Sequence, residues 1–331
     1  MVRLSASPLP NLREIELAED RIRKYIPQTP LEYSPRLSER LGRGVLLKLE
    51  CFQPIRVFKI RGALNKLLSL NDSDLRRGVL TASSGNHGFA IAYVSKLFGV
   101  KAVICVPESA NSQKLRAIQE QGAEVVRYGR GYDETYENAL RVAETRGLTF
   151  VHAFNDRDVI AGQGTCGLEI ARQGKDIDSA VVAIGGGGLI AGISIALKQS
   201  LDKVNVYGAE TTAIPSMFES LRERRLVRVD PRNTIADGMQ ASVPGDLTFE
   251  AAARYVDKVG LVTDEQIMDA IYELLVDGRV LAEPSGASPL AALEGPLKEE
   301  EGDRTVLVVS GGNISTELLA SVLKRKGTQS S

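Results

Sequence analysis

Lys59 stands between apolar neighbours in Val57-Phe58-Lys59-Ile60-Arg61-Gly62-Ala63, at the start of a stretch that reads as a helix. An exposed lysine stays protonated near its reference pKa of about 10.4, whereas burial favours the neutral amine that attacks carbonyls and forms Schiff bases. Lys59 is therefore a candidate covalent anchor, although a lysine snorkelling at an amphipathic helix end would look the same in this segment alone. A second segment, Gly185-Gly186-Gly187-Gly188, follows an apolar run and precedes the helical Leu189-Ile190-Ala191-Gly192. Residues without side chains let backbone amides converge on an anion at a helix start, which is how phosphates are cradled. The same stretch fits the relaxed dinucleotide pattern Gly186-x-Gly188-x-x-Ala191, with Glu210 about 20 residues on, so an NAD-dependent dehydrogenase stands as a competing reading. In Ser83-Ser84-Gly85-Asn86-His87-Gly88, free amides, hydroxyls and a carboxamide at a helix start suit a carboxylate or a ring hydroxyl. A plain serine cap is the competing account there, and His87 reads as a structural hydrogen-bonder. Ser310-Gly311-Gly312-Asn313 and Glu283-Pro284-Ser285-Gly286-Ala287 are polar turns that carry little signal alone.

Elements to position these residues are legible in the apolar patterning. Runs of strand type occur at 45–49, 79–82, 102–106, 124–127, 150–152, 180–184, 204–209 and 306–309. Segments of helical period lie between them, such as 111–121, 132–145, 265–275 and 315–323. Such alternation predicts an α/β fold with mainly parallel sheets flanked by helices. Sites in such sheets lie beyond the carboxyl ends of strands, where helix N-termini point amides at ligands, and each motif above sits at such a junction. The polar tail 324–331 reads as frayed.

With 331 residues, 43% hydrophobic and 25% charged, the chain has material for two domains of ordinary size. A net charge of −1 supplies no basic field for nucleic acid. Cys51, Cys105 and Cys166 lie far apart and are odd in number, which argues against disulfides and zinc clusters and fits a reducing cytoplasm. No signal peptide is evident. The uncharged run 179–197 has the length of a membrane span, but its four glycines read as a strand-to-helix turn, so no membrane partner is expected.

Phe58-Lys59-Ile60-Arg61-Gly62-Ala63, Ser83 to Gly88, Ala161-Gly162-Gln163-Gly164-Thr165, Gly185 to Leu189, Thr234-Ile235-Ala236-Asp237-Gly238, Glu283 to Ala287 and Ser310 to Asn313 resemble, in order, the motifs of serine racemases and serine/threonine dehydratases. These are pyridoxal-phosphate enzymes of the tryptophan-synthase-β fold type, fold type II, and the resemblance spans nearly the whole chain. It implies pyridoxal 5'-phosphate held as a Schiff base on Lys59, with Phe58 flanking the ring. Gly185, Gly186, Gly187, Gly188 and the Leu189 amide would bind the phosphate, Asn86 the ring hydroxyl, and Ser310 would face the ring nitrogen. Ser83, Ser84, Gly85, Asn86 and His87 would surround the substrate carboxylate. The implied activity is elimination of water from L-threonine or L-serine to give a 2-oxo acid and ammonia, with Lys59 removing the α-proton. Racemisation is the alternative, Ser84 exchanging a proton on the opposite face. The resemblance also implies a large cofactor-binding domain from residues 1–70 and 150–331, a small mobile substrate domain at 71–149, and a homodimer.

Three departures from the family pattern matter. Val57 stands where serine is usual, after Arg56, a candidate extra carboxylate contact. Glu210 keeps the glutamate of the divalent-cation site found in some relatives, but Ser216 replaces the aspartate. Hard cations need several oxygen ligands, so Glu210 is only a weak metal candidate and little metal dependence is expected. The arginine that contacts substrate in mammalian-type serine racemases has no counterpart near Asp133-Glu134-Thr135-Tyr136. Because the chain stops shortly after Asn313, the C-terminal regulatory domain of biosynthetic threonine dehydratases is not expected.

Overall fold

The computed structural model describes residues 8–300 and 302–329. Among these, ten strands, β1 Leu31–Tyr33, β2 Gly44–Leu49, β3 Val79–Ala82, β4 Ala102–Val106, β5 Glu124–Arg127, β6 Thr149–Phe150, β7 Ser179–Ala183, β8 Asn205–Thr211, β9 Lys258–Val262 and β10 Arg304–Val309, form two sheets. The larger has the order β1-β2-β10-β7-β8-β9 and is parallel except for β1, which runs antiparallel to β2. The smaller, β5-β4-β3-β6, is wholly parallel. Parallel sheets are covered on both faces, which explains why Val306 to Val309 and Val79 to Ala82 are buried at every position.

The sequence patterning located eight of these strands and missed two. β1 has three residues and lies half exposed at an edge, too short for any periodicity to register. β9 is interrupted by Gly260, where a Cβ would stand 2.9 Å from Pro296. The tail, read as frayed over 324–331, departs from expectation as far as Gln329, and positions 330–331 lie outside the described residues. Thr316–Gln329 is one helix, and Lys326 Nζ pairs with Asp269 Oδ1 at 3.0 Å, which holds it against the helix Asp264–Val276.

The helix Lys59–Ser69 joins the two sheet systems. Its apolar face, Ile60, Ala63, Leu64 and Leu67, shares a core with Val79, Ile91 and Ile104 of the smaller sheet and its helices. Its other side lies against the helix Arg157–Gln173, at a crossing where Gly62 and Gly162 let the backbones approach. A Cβ at Gly62 would meet Gln163 Nε2 at 2.3 Å, and one at Gly162 would meet the Gly62 Cα at 2.7 Å. The next crossing is equally close, since a Cβ at Gly192 in the helix Gly188–Ser200 would stand 2.4 Å from Gly164 N.

Behind Lys59 lies a dry ionic cluster. Arg61 is paired two-pronged with Glu50, at 2.7 Å to each oxygen, and with Glu169, at 2.7 and 2.8 Å. Lys48 donates to Glu169 at 2.6 Å and to the Thr29 carbonyl at 2.8 Å. Two cations match two carboxylates with every side chain at most 6% exposed, and breaking such a set costs about 3–5 kcal/mol. It ties the start of the Lys59 helix to β2 and to the Arg157–Gln173 helix.

Candidate active site

Lys59 opens its helix after Phe58, whose amide donates to the Ser310 carbonyl at 3.0 Å, and Val57 bridges to Gly311. The chain entering the helix is thus fastened to the carboxyl end of β10. Lys59 Nζ donates to the Ala153 carbonyl at 2.9 Å and lies 5.0 Å from the Phe58 ring centroid. Burial lowers its pKa to about 8 against the opposing charge of Glu283, so the neutral amine is accessible at physiological pH. The snorkelling account fails here, because the amine points to a backbone carbonyl inside the fold.

A cleft gathers Phe58, Lys59, Gly185 to Gly188, Leu189 and Ser310, which includes every residue expected to hold the cofactor except Asn86. It also takes in Phe154, Gly238, Met239 and Ser285, none assigned a role from sequence. The glycines follow β7 and lead into the helix Gly188–Ser200, so its first amides and positive dipole end face the cleft. Gly187 has φ 90°, a conformation that costs a side chain. At Gly186 a Cβ would fall 2.2 Å from the Phe154 ring, and Thr248 Oγ1 fixes the loop by donating to the Gly186 carbonyl at 2.7 Å. Ser285 Oγ is buried in this cleft without a hydrogen-bond partner among the described residues. A glycine loop at a helix N-terminus, an amine of lowered pKa and buried hydroxyls from Ser285 and Ser310 lie together in one cleft, and these residues fit what pyridoxal phosphate would need.

Ser83, Ser84, Gly85 and Asn86 are half-buried between β3 and the helix Asn86–Phe98. No side chain caps that helix, which leaves its first amides for a ligand. Asn86 Nδ2 donates to both Glu283 oxygens, at 2.9 and 3.1 Å. His87 is buried, with Nε2 3.4 Å from the Val151 carbonyl and a pKa held well below the usual value by burial and by Lys59. Its Nδ1 is buried without a hydrogen-bond partner among the described residues. His152 is half-buried, and burial lowers its pKa to about 4. Its Nδ1 accepts from the amides of Phe154 and Asn155 at 3.2 and 2.9 Å, and its ring meets Phe154 edge-on at 4.5 Å. Phe154, Thr248 and His152 left no motif in the sequence; Phe154 crowds Gly186 and Thr248 crowds Gly187, so the glycines themselves are the trace of those two.

Glu210, weighed as a metal ligand and as a ribose contact, is held by its own chain. Its two oxygens accept the amides of Met217 and Phe218, both at 2.8 Å, and so cap the helix Ser216–Glu223. Burial pushes its pKa up to about 8 despite those amides. Ser216 Oγ donates to the Ala241 carbonyl at 2.7 Å. No group of three or more His, Cys, Asp or Glu suited to a metal ion occurs among the described residues. The carboxylate that would have held a ribose is engaged by its own chain, which removes the second element of the dinucleotide pattern. Arg56 is exposed, with its guanidinium 5.9 Å from the Phe52 ring centroid, and Cys51, Cys105 and Cys166 are all free and buried. No helix among the described residues is long and apolar enough to cross a membrane.

The chain is 42% identical to an L-threonine ammonia-lyase of Thermotoga maritima over 95% of its own length and 78% of that relative's. It is 38% identical to a catabolic L-threonine dehydratase of Staphylococcus aureus, covering 98% of this chain and 94% of that one. Among solved structures, maize serine racemase superposes with a TM-score of 0.90 at 33% identity, covering 96% of this chain and 98% of that one. The profile of the family described as pyridoxal-phosphate dependent enzyme matches residues 22–311. That match spans both sheets and every element of the cleft, in keeping with the amine, the glycine loop and the two serine hydroxyls found there, and the chain belongs to the family of pyridoxal-phosphate dependent enzymes.

Proposed function

We propose that the protein is an ammonia-lyase for L-threonine, with L-serine as a second substrate, releasing a 2-oxo acid and ammonia. The juxtaposition of the Lys59 amine, its pKa lowered to about 8, with the glycine loop and Ser310 in one cleft carries this reading. The names of the two relatives from Thermotoga maritima and Staphylococcus aureus support threonine as the substrate. Bound here, pyridoxal phosphate supplies an electron sink that acidifies the α-carbon of an amino acid. Gly185 to Leu189 would hold the phosphate through their amides, Phe58 would flank the ring, and Asn86 would meet the ring hydroxyl. Ser310 presents a neutral hydroxyl to the ring nitrogen, which cannot stabilise a cationic ring as a carboxylate would and so favours elimination over transamination. The segment from Ser83 to His87 binds the substrate carboxylate, chiefly through backbone amides. Lys59 Nζ, once free and neutral, would accept the α-proton, and the β-hydroxyl would depart as water on taking up one proton, which leaves the site with the protonation it began with once Lys59 gives up the proton it gained. The released enamine takes up water and yields the oxo acid and ammonia.

The smaller sheet, with the Asn86–Phe98 helix, moves over the substrate and excludes water while the α-carbon is deprotonated. A homodimer, the assembly implied by the family resemblance, completes the proposal, and light scattering that returns the mass of one chain would overturn that part. The assay is appearance of 2-oxo acid from L-threonine and L-serine by the purified chain with pyridoxal phosphate. Lys59→Ala is expected to lose at least about 10³-fold in turnover, and retained activity would overturn the assignment.

A second reading has its own support. Ser84 is half-buried at the start of the Asn86–Phe98 helix, and the chain superposes on maize serine racemase. In this reading Ser84 exchanges a proton on the face opposite Lys59. Ser84→Ala is expected to suppress formation of the D-isomer and to spare elimination from the L-isomer. Equal loss of both by chiral chromatography would remove this role.

A further inference from the structure

Glu283 is the N-cap residue of the helix Pro284–Glu294, where a carboxylate ordinarily accepts its own helix's amides, yet its side chain makes no capping bond. Both oxygens instead reach the Asn86 carboxamide nitrogen, at 2.9 and 3.1 Å, and Oε2 also accepts the Asn313 amide at 3.2 Å. Asn313 Nδ2 donates to Asn86 Oδ1 at 3.0 Å, so the Asn86 carboxamide is gripped at both ends. Glu283 is 5% exposed, and Gly311 makes room for it, since a Cβ there would stand 2.5 Å from Glu283 Oε1. An ionised carboxylate only accepts hydrogen bonds, so it faces the NH₂ end of Asn86 and excludes the flipped carboxamide.

We propose that Glu283 is a positioning residue of the site: it locks the Asn86 carboxamide so that one N–H remains for the cofactor's ring hydroxyl, and it sets a negative charge opposite the Lys59 amine. This role rests on the assignment of Asn86 to that hydroxyl. Among the described residues, Glu283 is the charge that holds the Lys59 pKa up against burial, which still lowers it to about 8. Arg56 lies near Cys51 and Asp246 near His152, so neither is the charge that acts on Lys59. His87 and His152 have lowered pKa values, and burial pushes the Cys51 thiol up to about 12 even with Arg56 nearby.

The test is a pH titration of the visible absorption of the full chain loaded with pyridoxal phosphate. Glu283→Gln removes the charge, and its amide can donate or accept, which frees Asn86 to flip. The titration midpoint is expected to fall by about one unit, with the band displaced, because an opposite charge that favoured the protonated nitrogen is gone. Asn313→Ala keeps the charge and removes one grip, so it should displace the band and leave the midpoint in place. Spectra of Glu283→Gln that overlay the wild type at every pH would overturn the role. If Glu283→Gln fails to load cofactor, Asn313→Ala spectra that overlay the wild type would overturn it equally. A wild-type spectrum that is unchanged in Lys59→Ala would overturn the site assignment beneath this role, and the role with it.

Discussion

Only a neutral amine attacks an aldehyde, so the lowered pKa of Lys59 has a kinetic signature that needs no substrate. The cofactor-free chain should capture pyridoxal phosphate at a rate that rises through a midpoint near pH 8, followed by stopped-flow absorbance. A rate still climbing towards pH 10.5 would mean that the amine keeps its ordinary value and that burial does not tune it. Lys59 and the glycine loop were legible in the sequence because each needs unusual residue types side by side along the chain. Glu283 and Ser285 were visible only as an unremarkable turn. Their part in the site comes from the approach of chain segments far apart in sequence, such as Asn86 to Glu283, and no local pattern encodes that approach.

Elements decide the fate of Glu210. Its carboxyl caps the Ser216–Glu223 helix, and with its pKa raised to about 8 the folded chain keeps a proton that the unfolded chain releases near 4.5. The folded state therefore binds more protons between those values, and stability from this group is lost as pH rises from about 4.5 to about 8. Glu210→Gln keeps the shape and an acceptor, and is expected to flatten that part of the stability profile in urea unfolding. Glu210→Ala leaves two amides without a partner and should cost about 1–2 kcal/mol. Activity unchanged in chelator is the companion expectation, and complete loss there would restore the cation reading. Most strands were legible from their apolar runs because parallel sheets bury both faces. The short edge strand β1 and the glycine-broken β9 were not, since the first has too few residues for a period and the second loses its pattern to a packing demand from Pro296.

For the whole molecule, the sequence reading placed a boundary at residue 70, while the Lys59–Ser69 helix packs its apolar face into the core shared with the smaller sheet and its glycine side against the Arg157–Gln173 helix. Composition carries no trace of such double membership. If the smaller sheet closes over substrate, hydrogen exchange at β3 and the Asn86–Phe98 helix should slow when L-threonine is added to a Lys59→Ala chain supplied with pyridoxal phosphate. Equal exchange with and without substrate would argue for a rigid cleft. The Lys59 amine rests on the carbonyl of Ala153, on the stretch that leads from β6 of the smaller sheet into the helix Arg157–Gln173. That partner belongs to the path of the backbone and to no side chain. No replacement of the Ala153 side chain removes it, so a mutational scan of that stretch would pass silently over the acceptor on which the reactive nitrogen rests, and only a backbone edit, such as an ester in place of the amide that follows Ala153, would expose it.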